Sequence, residues 1–244
     1  MCGNNLKEHP QASVWADELD RPKTFAPVKR PAPIPSAEQR KVGLSVTHVD
    51  RLVADPFAFY AYRILNLRSL DLIDAEPSAA WRGTIIHDLL DKWAKEDAYQ
   101  PDALKARAEA FLSDRSSHPL LRTLWSPRLM EGLLWVAQKV SSDKKDGREP
   151  LRSEQYGEAE IAGVQLSGIA DRIDRMPDGG LAIVDYKTGG PPSNRAVKEG
   201  FNLQLGLLAA IAESGKIDGV EGQVTAFEYW SLAKKNDEFG YVTS

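Results

Sequence analysis

Near residue 150 the hydrophobic pattern of this chain changes period, and that change limits what the chain can fold into. Before it, apolar residues recur at three and four positions. Ile85, Ile86, Leu89, Leu90 and Trp93 form one stripe of a helix expected over 79–97. Two further helices are expected over 101–115 and 119–140, the second with Leu120, Leu121, Leu124, Met130, Leu133, Leu134 and Val140 on its apolar face. Beyond residue 150 the period is two. Residues 158–161, 164–174 and 181–187 read as strands, with turns at Ala162-Gly163 and at Pro177-Asp178-Gly179-Gly180. A helix over about 199–213 (Phe201, Leu203, Leu205, Leu207, Leu208, Ile211) and a strand over 223–230 follow. Helices, antiparallel strands, then helix and strand specify an α+β or mixed α/β domain.

Residues 1–42 read as a flexible tail. Pro10, Pro22, Pro27, Pro31, Pro33 and Pro35 break periodicity, and Pro-Ala-Pro-Ile-Pro favours an extended polyproline conformation. The tail is partly basic: Arg21, Lys23, Lys29, Arg30, Arg40 and Lys41 are opposed only by Glu38, as either a solvated linker or an arm that touches phosphates. A domain is expected from residue 43 onward. There Ser45 or Thr47 caps a short helix carrying Val49, Leu52 and Val53, and Asp55-Pro56 interrupts it. The aromatic run Phe57, Phe59, Tyr60 and Tyr62 is expected to be mostly core.

Composition excludes several classes. The single cysteine, Cys2, rules out a disulfide framework within the chain, a cysteine zinc site and an iron–sulfur cluster. No apolar run approaches the roughly 18–20 residues of a membrane span, and the N-terminus lacks a signal-peptide apolar region, so a cytoplasmic protein is expected. The net charge of −4 provides no global basic field for nucleic acid.

The second and third strands carry charges where apolar residues dominate. A short hairpin centred on Asp178-Gly179 sets Asp171 across from Asp185 or its immediate neighbour, with Cβ atoms roughly 5 Å apart. Asp185 and Lys187, two apart on one strand, share a face. Two carboxylates this close repel, and a hard divalent cation relieves the repulsion. Magnesium, bound by one or two carboxylates plus a substrate phosphate, activates water, and Lys187 can hold that water or offset charge on the attacked phosphate. The alternative is an ordinary cross-strand salt bridge. Ile169, Ile173, Ile183 and Val184 make these strands too apolar for a fully exposed face, which favours the metal site. His87 lies at the border of the helical stripe, as a core side chain or a ligand; Gly83, one turn earlier, is expected to admit close approach of another element.

Gly83-Thr-Ile-Ile-His87, Gly168-Ile-Ala-Asp171-Arg172-Ile173-Asp174, Ile183-Val184-Asp185-Tyr186-Lys187-Thr188-Gly189 and Gln204 stand in an order that resembles the RecB-type PD-(D/E)XK nuclease domain. The likeness is greatest to the C-terminal nuclease region of AddB-type subunits of bacterial helicase–nucleases. Leu44-Ser-Val-Thr-His48 and Asp55-Pro-Phe-Ala-Phe-Tyr60 resemble the opening of that region. The resemblance covers about residues 43–232. It implies a restriction-endonuclease-like core, a mixed central sheet with antiparallel hairpins flanked by helices and preceded by a helical part. It implies His87, Asp171, Asp185 and the Tyr186 carbonyl as metal ligands, Lys187 as the catalytic lysine with Asp171 and Asp185, and Gln204, Arg172 and Thr188 set toward DNA. Glu154 is either a minor acidic partner or a solvated residue.

Three departures accompany it. Relatives often carry four cysteines for an iron–sulfur cluster; here Asp55 stands at one of those positions, and no cluster is expected. Leu208 stands where a tyrosine is frequent. AddB-type subunits are much longer, and this chain has no phosphate-binding ATPase loop, so it is read as an excised or C-terminally truncated nuclease domain or as a stand-alone version. The implied activity is a Mg2+-dependent DNase, with Mn2+ able to substitute, acting on single strands or duplex ends beside a helicase partner in double-strand-break repair, with no membrane role. A catalytically silent scaffold that binds DNA or a partner is the alternative. An RNA-processing or restriction-type nuclease is a third reading.

Overall fold

The computed structural model describes residues 9–21, 27–70, 79–113 and 125–244. The chain divides into two compact units, Met1–Ser36 and Ala37–Ser244. In the first, residues 27–36 take no regular structure, in keeping with Pro27, Pro31, Pro33 and Pro35. A helix not expected there, α1 (Ala12–Asp20), forms between Pro10 and Pro22 and buries none of its residues. Lys23 of the basic run lies outside the described residues. The second unit opens six residues before residue 43, with α2 (Ala37–Arg40) and the two-residue strand β1 (Leu44–Ser45).

Ser45 caps α3 (Val46–Ala54) through a reciprocal box: its Oγ accepts from the His48 N–H, and its own N–H donates to His48 Nδ1. Asp55 both ends α3 and caps α4 (Pro56–Arg63), with Pro56 at the first helical position. The aromatic run is therefore helical, which turns its members to different sides. Only Phe59 is buried, while Phe57 is 76% exposed, so the expectation of a mostly buried run is corrected.

Three longer helices follow: α5 (Ala79–Asp97), α6 (Pro101–Ser113) and α7 (Ser126–Lys145). Leu120, Leu121 and Leu124 lie outside the described residues. Among the described residues, no helix is long and apolar enough to cross a membrane.

The strands are β2 (Glu149–Ile161), β3 (Val164–Arg175), β4 (Leu181–Lys187), β5 (Val224–Lys235) and β6 (Glu238–Thr243). Between β4 and β5, the helix expected over about 199–213 begins only at α9 (Gln204–Glu213); a short α8 (Asn194–Lys198) that was not expected precedes it, and Gly200 at φ +78 separates the two. The sheet is mixed. β2 runs antiparallel along β3, β4 pairs antiparallel with β3 and parallel with β5, and β6 is antiparallel to β5. The second edge of β3 is shared: β1 takes Leu166 and Ser167, and β4 takes Arg172 to Arg175. Residues 168–171 lie in the notch between those two partners.

Two apolar layers sandwich the sheet. On one face Val46, Leu166, Ile183, Leu208 and Ile211 bring α3 and α9 against it. On the other, Trp93, Leu104, Val136, Val140, Val184 and Trp230 join it to α5, α6 and α7. Strict alternation would set Ala170 and Arg172 on one face. Instead Ala170 packs with the α9 layer, whereas Arg172 stacks 4.0 Å over Trp230 in the α7 layer. The alternation slips at Asp171, in the notch.

Candidate active site

The hairpin register is the one the Asp178-Gly179 turn predicts. Arg172 pairs with Val184 and Ile173 with Ile183, so Asp171 and Asp185 fall at the next position, where the ladder ends. Asp171 replaces the missing rung with its side chain: Oδ2 accepts from the Tyr186 N–H at 2.7 Å. Asp185 is almost fully buried; its Oδ1 accepts from Gln204 Nε2 at 2.8 Å, and Lys187 Nζ forms an ion pair with Oδ2 at 2.7 Å. Gln204 is the first residue of α9, and Asp50 of α3 fixes that end by accepting from the Leu203 N–H at 2.7 Å.

His87 enters from α5. Its Nδ1 lies 2.9 Å from Glu154 Oε1 and 3.5 Å from Asp171 Oδ1, and its Nε2 lies 3.2 Å from the Tyr186 carbonyl. Both ring nitrogens thus face oxygen acceptors, an arrangement that suits the doubly protonated ring. Burial opposes that charge, but the Glu154 hydrogen bond and the charges of Asp171, Glu154 and Asp185 outweigh it and push the His87 pKa up to about 9. Burial and the charge of Asp185 push the Asp171 carboxyl up to about 7, against the pull of His87 and the Tyr186 N–H. Burial raises Asp185 as well, opposed chiefly by Lys187.

A divalent cation fits this cluster. One ligand atom each from His87, Glu154 and Asp171 lies within 4.8 Å of the others. Asp185 Oδ2 is buried, with the Lys187 ammonium 2.7 Å away. Carboxylate oxygens, a carbonyl oxygen and one imidazole form a donor set suited to Mg2+ or Mn2+.

The structure brings together His87, Asp171, Asp185, the Tyr186 carbonyl, Lys187 and Gln204. Glu154 joins them more closely than its sequence position indicates. It opposes Asp171 across β2 and β3, between the pairs Ser153–Arg172 and Gln155–Ala170, and its backbone is left-handed at φ 44. Arg172 does not join them. It is 1% exposed, donates to Asp174 Oδ1 at 2.9 Å and to the Tyr186 hydroxyl at 2.6 Å, and belongs to a buried network in which Arg148 bridges Asp174 and Glu228. The expectation that Arg172 contacts DNA is therefore corrected, because the slip at Asp171 turns it into the core. Thr188 is half-buried, one residue beyond Lys187. Gly83 is not a point of close approach: among the described residues, an added Cβ would meet nothing within 4 Å.

The family model of the PD-(D/E)XK nuclease superfamily matches residues 43–242. An uncharacterized protein of Rickettsia typhi is 29% identical over 212 residues, which cover 78% of this chain and 24% of that protein. One subunit of the ATP-dependent helicase/deoxyribonuclease of Streptococcus mutans is 27% identical over 153 residues, 60% of this chain and 14% of that protein. A solved structure of a provisionally assigned exonuclease from Eubacterium rectale aligns with a TM-score of 0.46 at 9% identity, covering 84% of this chain and 73% of that one. The chain spans a quarter or less of the length of these curated relatives. With the family match running from β1 to β6, the chain belongs to the PD-(D/E)XK nuclease superfamily.

Proposed function

We propose that the chain is a divalent-metal-dependent deoxyribonuclease that hydrolyses phosphodiester bonds in single-stranded DNA or at DNA ends. One observation carries this reading: His87, Glu154, Asp171 and Asp185 converge in the notch of the sheet with the Lys187 ammonium beside them. His87, Asp171, Asp185 and the Tyr186 carbonyl would hold Mg2+ or Mn2+, with Glu154 as a further oxygen donor. When bound, the ion lowers the pKa of a water and stabilises charge on the attacked phosphate. Lys187, held by Asp185, positions the attacking water and offsets the negative charge that develops on phosphorus oxygens. Gln204 fixes the Asp185 carboxylate and the Tyr186 N–H fixes that of Asp171, so neither must reorganise during the reaction.

The likeness to part of a helicase/deoxyribonuclease supports a setting in double-strand-break repair, where a helicase partner delivers the strand. The net charge of −4 agrees with delivery by a partner rather than capture by a basic surface. The test is cleavage of end-labelled single-stranded DNA by the purified chain with Mg2+ or Mn2+, beside Asp185→Ala. Metal-dependent cutting that the variant loses is expected. An intact strand after incubation with the folded chain and its helicase partner overturns the proposal in favour of a silent scaffold.

A further inference from the structure

A cavity of about 430 Å³ is lined by residues of α5, the start of α7 and the ends of β5 and β6. Thr188 lines it and directly follows Lys187, and Ile86 lines it and directly precedes His87. Its wall is largely apolar and includes two aromatic rings, Trp125 and Phe239, yet three cations stand in the same lining: Arg82, Arg128 and Lys234. Among the described residues, no carboxylate lies within 4 Å of Arg82 or Arg128. Lys234 has only the exposed Asp237. The Arg82 guanidinium lies 3.3 Å over the Trp125 ring, and among the described residues its buried Nε has no hydrogen-bond acceptor.

Two arginines without a carboxylate partner among the described residues, beside an aromatic slot, match one ligand chemistry: a flat apolar ring joined to anionic groups. A small apolar molecule would leave the guanidinium donors unmatched, and an inorganic anion would leave the rings unmatched. A nucleotide in a strand offers both, its base to Trp125 and Phe239 and its phosphates to the arginines. A base inside a duplex is stacked and paired and cannot enter such a slot without being unpaired first.

We propose that this cavity holds one unpaired base of a single-stranded DNA whose backbone passes Thr188 to the acidic cluster. The inference rests on the nuclease reading above and narrows its substrate to an unpaired strand. Arg82 fixes the plane of the Trp125 ring, so little freedom is lost when a base stacks there.

The test is binding of fluorescein-labelled oligothymidine in EDTA, read by anisotropy, which needs no metal and no turnover. Trp125→Ala is expected to weaken binding about tenfold or more, and Trp125→Phe to retain most of it. Arg128→Ala, on an exposed side chain that the fold does not need, is expected to weaken binding and to lower the salt dependence by about one ion. A blunt duplex of the same length is expected to bind all three variants like the wild type. Wild-type affinity for the strand in Trp125→Ala and Arg128→Ala, with melting temperatures unchanged, overturns the cavity assignment and leaves the nuclease reading standing. No binding of the strand by the wild-type chain likewise overturns the cavity assignment, whereas the nuclease reading falls only if the strand stays intact beside the helicase partner.

Discussion

Glu154 and Asp171 oppose each other across β2 and β3 and converge on one nitrogen, His87 Nδ1, at 2.9 and 3.5 Å. The convergence depends on two irregularities of the sheet, the left-handed backbone of Glu154 and the slip of alternation at Asp171. A left-handed glutamate costs roughly 1–2 kcal/mol, and strain of this kind persists where the surrounding structure fixes it. Glu154→Gln keeps the shape and removes the charge. It is expected to weaken Mn2+ binding about tenfold or more, measured by titration calorimetry. Wild-type affinity would make Glu154 a spectator.

Proton release should accompany metal binding. His87, pushed up to about 9, and Asp171, pushed up to about 7, both carry protons near pH 6 that the ion must displace. Mn2+ affinity is therefore expected to rise from pH 6 to pH 9, and calorimetry in buffers of different ionisation enthalpy counts the protons. In EDTA the sign reverses for stability. Both groups hold protons more tightly folded than unfolded, so Asp171 lowers stability as pH rises from about 4 to 7, and His87 as pH passes from about 6.5 to 9. The melting temperature in EDTA should fall over that range and recover with Mn2+ at pH 8. A flat profile contradicts the assignment.

Arg172 is a structural residue. Its removal leaves the Tyr186 hydroxyl without its donor and Asp174 with Arg148 alone. Arg172→Ala is expected to lower stability by roughly 3–5 kcal/mol in urea unfolding. At a temperature where the variant is folded, its affinity for single-stranded DNA should match the wild type. A selective loss of affinity would restore the DNA role that its burial denies.

Gly168 is demanded by close approach rather than by backbone conformation. A Cβ there would meet Leu208 Cδ2 at 2.7 Å and both Val46 methyls at 3.1 Å, at the contact of α9 and α3 with β3. Gly168→Ala is expected to destabilise by about 1–3 kcal/mol in urea unfolding while leaving Mn2+ binding unchanged. A neutral substitution would mean that α9 shifts freely, which the Gln204 hydrogen bond to Asp185 argues against.

What the sequence makes legible follows from local rules. The Asp178-Gly179 turn and the apolar run of β4 fix the register that aligns Asp171 with Asp185, and the stripe from Ile86 to Trp93 fixes α5 and with it His87. The unseen parts are those held by pairing. Residues 149–157 of β2 are too polar to show alternation and are strand because β3 lies beside them. The β5–β6 hairpin had one signal, Asn236-Asp237, both left-handed as its tight turn requires. Nothing local marks Glu154 as left-handed or Asp171 as the slip, so the direction of Arg172 and the closeness of Glu154 to His87 emerge only in three dimensions.

The most direct measurement of the metal centre is anomalous diffraction from crystals of this protein soaked in Mn2+, beside crystals of Asp185→Ala treated alike. The predicted result is one strong peak coordinated by His87, Asp171, Asp185 and the Tyr186 carbonyl, with Glu154 as a further oxygen donor, weakened or lost in the variant. A peak coordinated by other residues, or none in a protein that still cuts DNA with Mn2+, would contradict the account.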